Sequence, residues 1–251
     1  MKRVLDWLVT VPVLVGFGGS LLFFDLLGRV TRLLGRRPFE WTMACLQRSL
    51  VEVFRLTGTR ITVERHPEVR PRTGYALVAN HQSLFDIALI GGLLFTNYPK
   101  YVAKKELSRG IPSISLNLRH GGNAVIDRQD RRQAVTAIRD VAADAQARGV
   151  SIVIFPEGTR SRNGELRPFK PAGTRVMLEA ADRLPVVPVA IDGSWRLLAA
   201  NLFPVPFRTR VRIRFGKPIE RVPGDAAALT DEARAFIEAT LASWRKPVPV
   251  G

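Results

Sequence analysis

Short apolar runs that alternate with helical patterns from residue 59 onward constrain the fold of this chain most strongly. Seven runs are rich in β-branched or aromatic residues and end at turn residues, which is typical of β-strands. They cover residues 60–64, 75–79, 101–103, 124–126, 151–155, 186–191 and 210–215. Helical periodicity occupies residues 84–94, 131–147, 174–182 and 231–244. This alternation predicts an α/β fold with a central mixed, largely parallel sheet flanked by helices.

The first 58 residues differ from the rest and predict an N-terminal helical hairpin for membrane association, ahead of an α/β domain at 59–251. Residues 8–24 carry no charge, but a helix of that length falls short of the ~20 residues that span a bilayer. Pro12 and three glycines weaken a straight spanning helix. Basic residues flank the run on both sides, so we expect it to dip into one leaflet and return. An ordinary buried hairpin is the alternative.

The charge of the chain predicts an anionic partner. Lysine and arginine number 38 against 22 acidic residues, which gives a formal net charge of +16. Nucleic acid, a membrane surface and phosphorylated substrates all fit such an excess. Nucleic acid is disfavoured, because aromatic residues make up only 8% and no basic stretch is interleaved with them. A single cysteine and three histidines also disfavour a disulfide framework and a metal site.

His81 and Asp86 stand where the strand at 75–79 gives way to the helix at 84–94. Within one helix, residues five apart diverge by about 140°, but across a loop-to-helix junction Asp86 can point back at His81. The carboxylate would then orient the imidazole and leave its other nitrogen free as a general base. The alternative is a capping box, with Ser83 as N-cap and Asp86 in the first turn. Both interpretations can hold together.

A polar loop follows the apolar strand at 151–155. It begins with Pro156 and continues with Glu157, Gly158, Thr159 and Arg160; Arg162 and Arg167 come shortly after. Arginine suits bidentate contact with phosphate, and glycine allows close approach of the backbone. A plain polar turn would not explain so many cations at one strand end.

Two other strands also end in charged residues. Asp127 and Arg128 follow the strand at 124–126, and Lys104 and Lys105 follow the strand at 101–103. Each could be a solvated surface pair. If the sheet is largely parallel, however, all four strand ends meet at one edge and form a cationic pocket beside His81.

Four blocks in this order resemble the glycerolipid acyltransferases, and most closely the PlsC-like 1-acyl-sn-glycerol-3-phosphate acyltransferases. The blocks are Asn-His-Gln-Ser-Leu-Phe-Asp at 80–86, the segment 122–128, Phe-Pro-Glu-Gly-Thr-Arg-Ser at 155–161, and Val-Pro-Val-Ala-Ile at 187–191. The resemblance covers roughly residues 59 to 220. In one departure from the family pattern, Gly173 follows Phe-Lys one residue late, and we expect Pro171 to start the next helix.

The resemblance implies a reaction and roles for residues. Acyl-CoA or acyl-carrier protein would deliver a fatty acyl group to the sn-2 hydroxyl of lysophosphatidic acid, giving phosphatidic acid. His81 would deprotonate that hydroxyl and Asp86 would orient His81. Arg128, Arg160 and Lys105 would bind the acceptor phosphate, with residues 157–159 (Glu157, Gly158 and Thr159) shaping the pocket. No cofactor, metal or covalent acyl-enzyme is expected, and the enzyme would work at the membrane surface, on the cytoplasmic face of the inner membrane.

Other functions stay open from the sequence. Related enzymes with the same blocks acylate other lyso-lipids, including lyso-ornithine lipid. The same base could activate water, which would make the protein a thioester or ester hydrolase. A basic membrane-binding module without catalysis is a third possibility.

Overall fold

The computed structural model describes residues 2–197, 203–222 and 224–246. Seven strands form one sheet, namely β1 (Arg60–Arg65), β2 (Ala76–Ala79), β3 (Lys100–Lys104), β4 (Ala124–Ile126), β5 (Ile152–Ile154), β6 (Val186–Asp192) and β7 (Arg210–Phe215). The helices are α1 (Lys2–Leu33), α2 (Arg36–Arg55), α3 (Phe85–Leu93), α4 (Ile114–His120), α5 (Arg131–Arg148), α6 (Pro171–Ala180) and α7 (Ala226–Arg245). All seven predicted strands are present, and α6 begins at Pro171 as expected, whereas α4 was not predicted.

The order of the strands brings five strand ends to one edge of the sheet. The order is β1-β7-β6-β2-β5-β3-β4, with β2 in the centre. Strands β6, β2, β5, β3 and β4 run parallel to one another, β1 runs parallel to β7, and β6 and β7 run antiparallel. The predicted mixed, largely parallel sheet is therefore confirmed. The carboxyl ends of the five parallel strands form the edge where α/β proteins place their sites.

Alternation along the strands divides the core into two layers. On β2, Leu77 and Ala79 pack with α2 and α3 on one face, while Ala76 and Val78 pack with α5, α6 and α7 on the other. All four side chains are fully buried. This is the pattern of a central parallel strand covered by helices on both faces.

Helix α1 runs without a break from Lys2 to Leu33, so Pro12 and the glycines, which were expected to weaken a straight helix, do not end it. Two glycines of α1 serve close packing instead. A Cβ on Gly28 would lie 2.7 Å from the Met43 side chain on α2, and one on Gly16 would meet Val53 at 3.4 Å. The glycines let two helices approach, and the packing outweighs their low helix propensity.

One face of α1 is apolar and exposed along its whole length. The side chains on this face recur at spacings of three, four or seven residues and include Val4, Leu8, Val11, Val15, Leu22, Leu26, Val30 and Leu33, all more than half exposed. By length and composition, α1 is the one helix of the described chain that could cross a membrane. An apolar stripe of this kind on a surface helix also suits the plane of a membrane interface.

Polar contacts hold both halves of α1 against the rest of the protein. Asp6 accepts a hydrogen bond from the main-chain N–H of Phe207 at 2.7 Å, and Asp25 accepts one from that of Ser113 at 2.7 Å. These two contacts are separated by about 28 Å of helix. The helix therefore lies along the surface of the protein.

Helix α2 lies between α1 and the sheet. Phe54 packs edge-on against Phe85 at a centroid distance of 4.6 Å, and residues of α1, α2 and the sheet share one hydrophobic cluster. Glu40 adds a buried ion pair to Lys100 of β3 at 2.6 Å. The division at residue 58 stays a prediction, and the two parts are joined by this common core.

Candidate active site

His81 and Asp86 face each other at the carboxyl end of β2. Asp86 lies in the first turn of α3, and its Oδ2 is 2.9 Å from His81 Nδ1. The same oxygen accepts hydrogen bonds from the main-chain N–H groups of Gln82 at 2.7 Å and Ser83 at 2.8 Å. One carboxylate therefore orients the histidine and holds the turn that leads into α3. The expected capping box with Ser83 as N-cap is corrected, because the helix begins one residue later and its N-cap, Leu84, makes no side-chain hydrogen bond.

The second carboxylate oxygen of Asp86 contacts a residue that the sequence did not suggest. Ser194 donates a hydrogen bond from its hydroxyl to Asp86 Oδ1 at 2.5 Å. Both residues are fully buried. Donors therefore meet both oxygens of this buried carboxylate, as a buried polar group requires. The only sequence signal was a Gly-Ser pair shortly after the fourth block.

The imidazole of His81 is fixed on one side by an aromatic ring. It stacks on Phe155 with a centroid distance of 4.0 Å and an interplanar angle of 18°. The side chain of His81 is 13% exposed. With Nδ1 directed at Asp86, Nε2 is the nitrogen left to meet a substrate.

Glu157 braces the site through the main chain. Its Oε1 accepts from the N–H of His81 at 2.6 Å, and its Oε2 accepts from the N–H of Arg167 at 3.0 Å. Burial raises the pKa of this carboxyl, while the two hydrogen bonds oppose that rise. Glu157 is 1% exposed, so its carboxylate is placed to shape the loop through these two hydrogen bonds. Its place in the substrate site stays a prediction.

The loop after β5 closes against the histidine and surrounds a cationic cavity. The main-chain N–H of Ser161 donates to the carbonyl of His81 at 2.8 Å, and Gly158 supplies a left-handed turn with φ of +66°. The cavity measures about 430 Å³ and is lined by Thr159, Arg160, Arg162, Asn163 and Arg167. Its described lining thus holds three arginines and no acidic side chain, which suits a phosphate.

Lys105 and Arg128 lie at the same sheet edge but do not line this cavity. Lys105 Nζ is 3.6 Å from Asp127 Oδ2. Strands β3 and β4 are two and three positions away from β2, or roughly 10 and 14 Å at the usual strand spacing. The predicted meeting of strand ends is confirmed, whereas the contact of these two residues with one common phosphate stays a prediction.

Within residues 2–197, 203–222 and 224–246, no group of three or more histidine, cysteine or acidic side chains could hold a metal ion. Cys45, the one cysteine of the chain, lies within α2 and is half-buried.

A largely parallel sheet with a histidine–carboxylate pair at its carboxyl edge, next to a cationic cavity, defines a class of protein suited to moving a proton at an anionic substrate. A family model described as Acyltransferase matches residues 60–192. That match covers more than half of the chain, and the chain belongs to this family.

Named relatives and a solved structure agree with the family. The chain is 33% identical over 171 residues to the 1-acyl-sn-glycerol-3-phosphate acyltransferase of Cocos nucifera, which is 66% of this chain and 51% of the coconut protein. It is 30% identical over 221 residues to the alpha form of that enzyme from Homo sapiens, with 87% and 76% covered. The crystal structure of the 1-acyl-sn-glycerophosphate (LPA) acyltransferase, PlsC, from Thermotoga maritima superimposes with a TM-score of 0.74 over 99% of both chains. Its identity of 24% makes this a likeness of fold.

Proposed function

We propose that the protein transfers a fatty acyl group from acyl-CoA or acyl-carrier protein to the sn-2 hydroxyl of lysophosphatidic acid, giving phosphatidic acid. The observation that carries the proposal is the His81–Asp86 pair at 2.9 Å beside a cavity lined by three arginines. Family membership supports acyl transfer. The names of the relatives from Cocos nucifera and Homo sapiens support the acceptor.

The proposed chemistry uses one base and no acyl-enzyme. His81 Nε2 takes the proton of the sn-2 hydroxyl while the oxygen attacks the thioester carbonyl. The tetrahedral intermediate collapses, the carbon–sulfur bond breaks, and the departing thiolate takes up the proton from the imidazolium. Asp86 stabilises that imidazolium in between. Since a thioester is already activated, a positioned base and an electrostatic clamp are sufficient, and the proposal includes no metal or cofactor.

Arg160 is proposed to bind the phosphate of the acceptor. It lines the cavity and flanks Ser161, whose N–H contacts the His81 carbonyl. Only one carbon of glycerol separates the sn-2 carbon from the phosphate ester oxygen, so the phosphate must lie close to the base. Gly158 and Thr159 shape this cavity, while Lys105 and Arg128 complete the cationic edge further out.

The exposed apolar face of α1 is proposed to lie in a membrane, on the cytoplasmic face of the inner membrane. Contacts of Asp6 and Asp25 with the rest of the protein favour a helix embedded along its length in one leaflet. The hairpin then returns through α2. This arrangement presents the site to a lipid that never leaves the bilayer, and the net charge of +16 attracts anionic headgroups.

A panel assay tests the proposal. Membranes containing the wild-type protein are given one labelled acyl-CoA, or the matching acyl-carrier protein, together with lysophosphatidate, lyso-ornithine lipid or other lyso-lipids. We expect labelled phosphatidic acid with lysophosphatidate and none with His81→Ala. If another lyso-lipid alone gives a labelled product, that lipid replaces lysophosphatidate as the proposed acceptor. Free fatty acid without any acceptor would favour a hydrolase, and a fully active His81→Ala protein would refute the mechanism.

A further inference from the structure

Ser194 reaches the site through a turn that only glycine can make. Strand β6 ends at Asp192, and Gly193 follows with φ of +86°. A Cβ at Gly193 would lie 2.1 Å from the carbonyl oxygen of Arg210 on β7, a contact that no side chain could make. The turn carries the chain from the sheet to Ser194, which opens a short 3-10 helix ending at Arg196.

The two oxygens of Asp86 have different partners. Oδ2 receives His81 Nδ1 and two main-chain N–H groups. Oδ1 receives the Ser194 hydroxyl at 2.5 Å. Ser194 Oγ is also 3.5 Å from Gln82 Oε1, which is too long to compete. The Ser194 hydroxyl therefore satisfies the oxygen that the main chain leaves without a donor.

The place of Ser194 relative to Asp86 is set by contacts between β2 and β6. The Asn80 side chain accepts from the N–H of Ile191 at 2.7 Å and donates to the carbonyl of the same residue at 2.8 Å. Asp192, the next residue, pairs with Arg245 of α7 at 2.6 Å. The residues just before Ser194 are thus held by Asn80 and by Arg245 of α7. The Ser194 hydroxyl is therefore held against the carboxylate before any substrate binds.

We propose that Ser194 is a positioning residue for acyl transfer, holding the Asp86 carboxylate in the rotation that directs Oδ2 at His81. This inference rests on the proposed role of His81 as the base. Without the hydroxyl, Oδ1 is a buried acceptor without a donor, and the carboxylate turns about its Cβ–Cγ bond to find one. His81 then loses its orientation. Lyso-lipid binding uses the arginine-lined cavity and stays as it is.

Four variants in membranes test the proposal, with kcat and KM measured for lysophosphatidate at saturating acyl donor. For Ser194→Ala we expect kcat to fall about 10- to 100-fold, the range for a hydrogen bond to a charged group, with KM within about twofold of wild type. Ser194→Thr and Ser194→Val add the same bulk to the buried position, but only threonine keeps the hydroxyl. We expect the threonine protein to exceed the valine protein in kcat by at least about tenfold, from that same hydrogen bond.

Ser151→Ala is the matched control. Ser151 is also a fully buried serine, and its hydroxyl accepts from the N–H of Tyr75 at 3.1 Å, at the opposite end of the strands. The kcat of the Ser151→Ala protein should equal that of wild type. Equal losses of kcat in Ser194→Ala and Ser151→Ala, or no loss in Ser194→Ala, would overturn the positioning role. A wild-type protein inactive on every lyso-lipid would instead refute the proposed function.

Discussion

The main-chain N–H of His81 donates a hydrogen bond to Glu157 at 2.6 Å, although 76 residues separate the two in the chain. The other oxygen of Glu157 accepts from the N–H of Arg167 at 3.0 Å. The carboxylate thus joins the loop after β2 to both arms of the loop after β5. Because His81 and the arginine-lined cavity lie on these loops, one buried side chain links the histidine to the cavity.

Glu157→Gln tests this brace. A glutamine amide offers only one acceptor oxygen, so its NH2 group must face one of the two N–H donors. We expect a loss of about 1–3 kcal/mol in the free energy of unfolding, the usual cost of a buried donor left without a partner, and a drop in kcat as His81 shifts. Urea unfolding and initial rates measure the two effects. Glu165→Gln, an exposed residue of the same loop, should change neither, and a Glu157→Gln protein identical to wild type would contradict the brace.

Asp86→Asn separates charge from architecture. The asparagine oxygen can still accept from Gln82 and Ser83, and its NH2 can meet the Ser194 hydroxyl, which also accepts. We therefore expect a folded protein whose kcat falls by about 10²- to 10⁴-fold, the contribution of a well-placed general base, because the charge that stabilises the imidazolium is gone. The double variant with His81→Ala should be no slower than His81→Ala alone. Additive losses would show that Asp86 acts apart from His81.

The strands and the His81–Asp86 pair were predictable because their signals are local. Apolar runs and polar strand ends can be read within a few residues. Helix α4 was not predicted because its sequence Ile-Ser-Leu-Asn-Leu alternates like a strand. The start of this helix is held by α1, where Asp25 accepts a hydrogen bond from the N–H of Ser113. Tertiary contact overrode the local pattern there.

Distances across the sheet could not be predicted, because they depend on the order of strands. Lys105 and Arg128 follow strands that the sequence places between β2 and β5, yet in the sheet β3 and β4 lie beyond β5. The role of Ser194 was hidden for the same reason, since 108 residues separate it from Asp86. The sequence predicts which strands end in charged residues, whereas the order of the strands in the sheet decides which of these residues lie close together.

Arg160→Ala should weaken the use of phosphorylated acceptors. Loss of a charge-assisted hydrogen bond to phosphate weakens binding roughly 10- to 100-fold. We therefore expect the KM for lysophosphatidate to rise by about that factor. An uncharged monoacylglycerol, offered as a poor acceptor, should be used as well as by wild type. Arg139→Ala, an exposed arginine on α5, is the matched control. An unchanged preference between the two acceptors would remove Arg160 from the phosphate site.

The apolar face of α1 should set membrane affinity. Replacing Leu8, Val15, Leu22 and Leu26 together by serine removes side chains that are 64–69% exposed, so the fold should be retained. Each apolar side chain withdrawn from the bilayer costs about 1.5–3 kcal/mol, and flotation with vesicles should show most of the protein unbound. Val222→Ser, which changes an exposed valine outside α1, should float like wild type. Undiminished flotation of the quadruple variant would show that another surface binds the membrane.

The buried cluster that joins α2 to the sheet should make stability depend on pH. Glu40 pairs with Lys100 and Arg148, both at 2.6 Å. Burial lowers the pKa of Lys100 to about 8 from 10.5, although Glu40 opposes that fall. Between these values the unfolded chain binds more protons than the folded protein, so the contribution of Lys100 to stability rises with pH from about 8 to 10.5.

Glu40→Gln should expose that dependence. At pH 7 it leaves Lys100 and Arg148 without their shared carboxylate, and breaking a buried pair in this way costs about 3–5 kcal/mol. Above pH 8 the folded wild-type protein releases the Lys100 proton, so the difference in free energy of unfolding between wild type and variant becomes smaller. It does not reach zero, because Arg148 stays charged. Urea unfolding at pH 7 and pH 9 measures both values. Glu179→Gln, which breaks an exposed pair with Arg175, should cost no more than about 1 kcal/mol at either pH. If Glu40→Gln lowers the free energy of unfolding by the same amount at both pH values, the pH dependence does not come from Lys100.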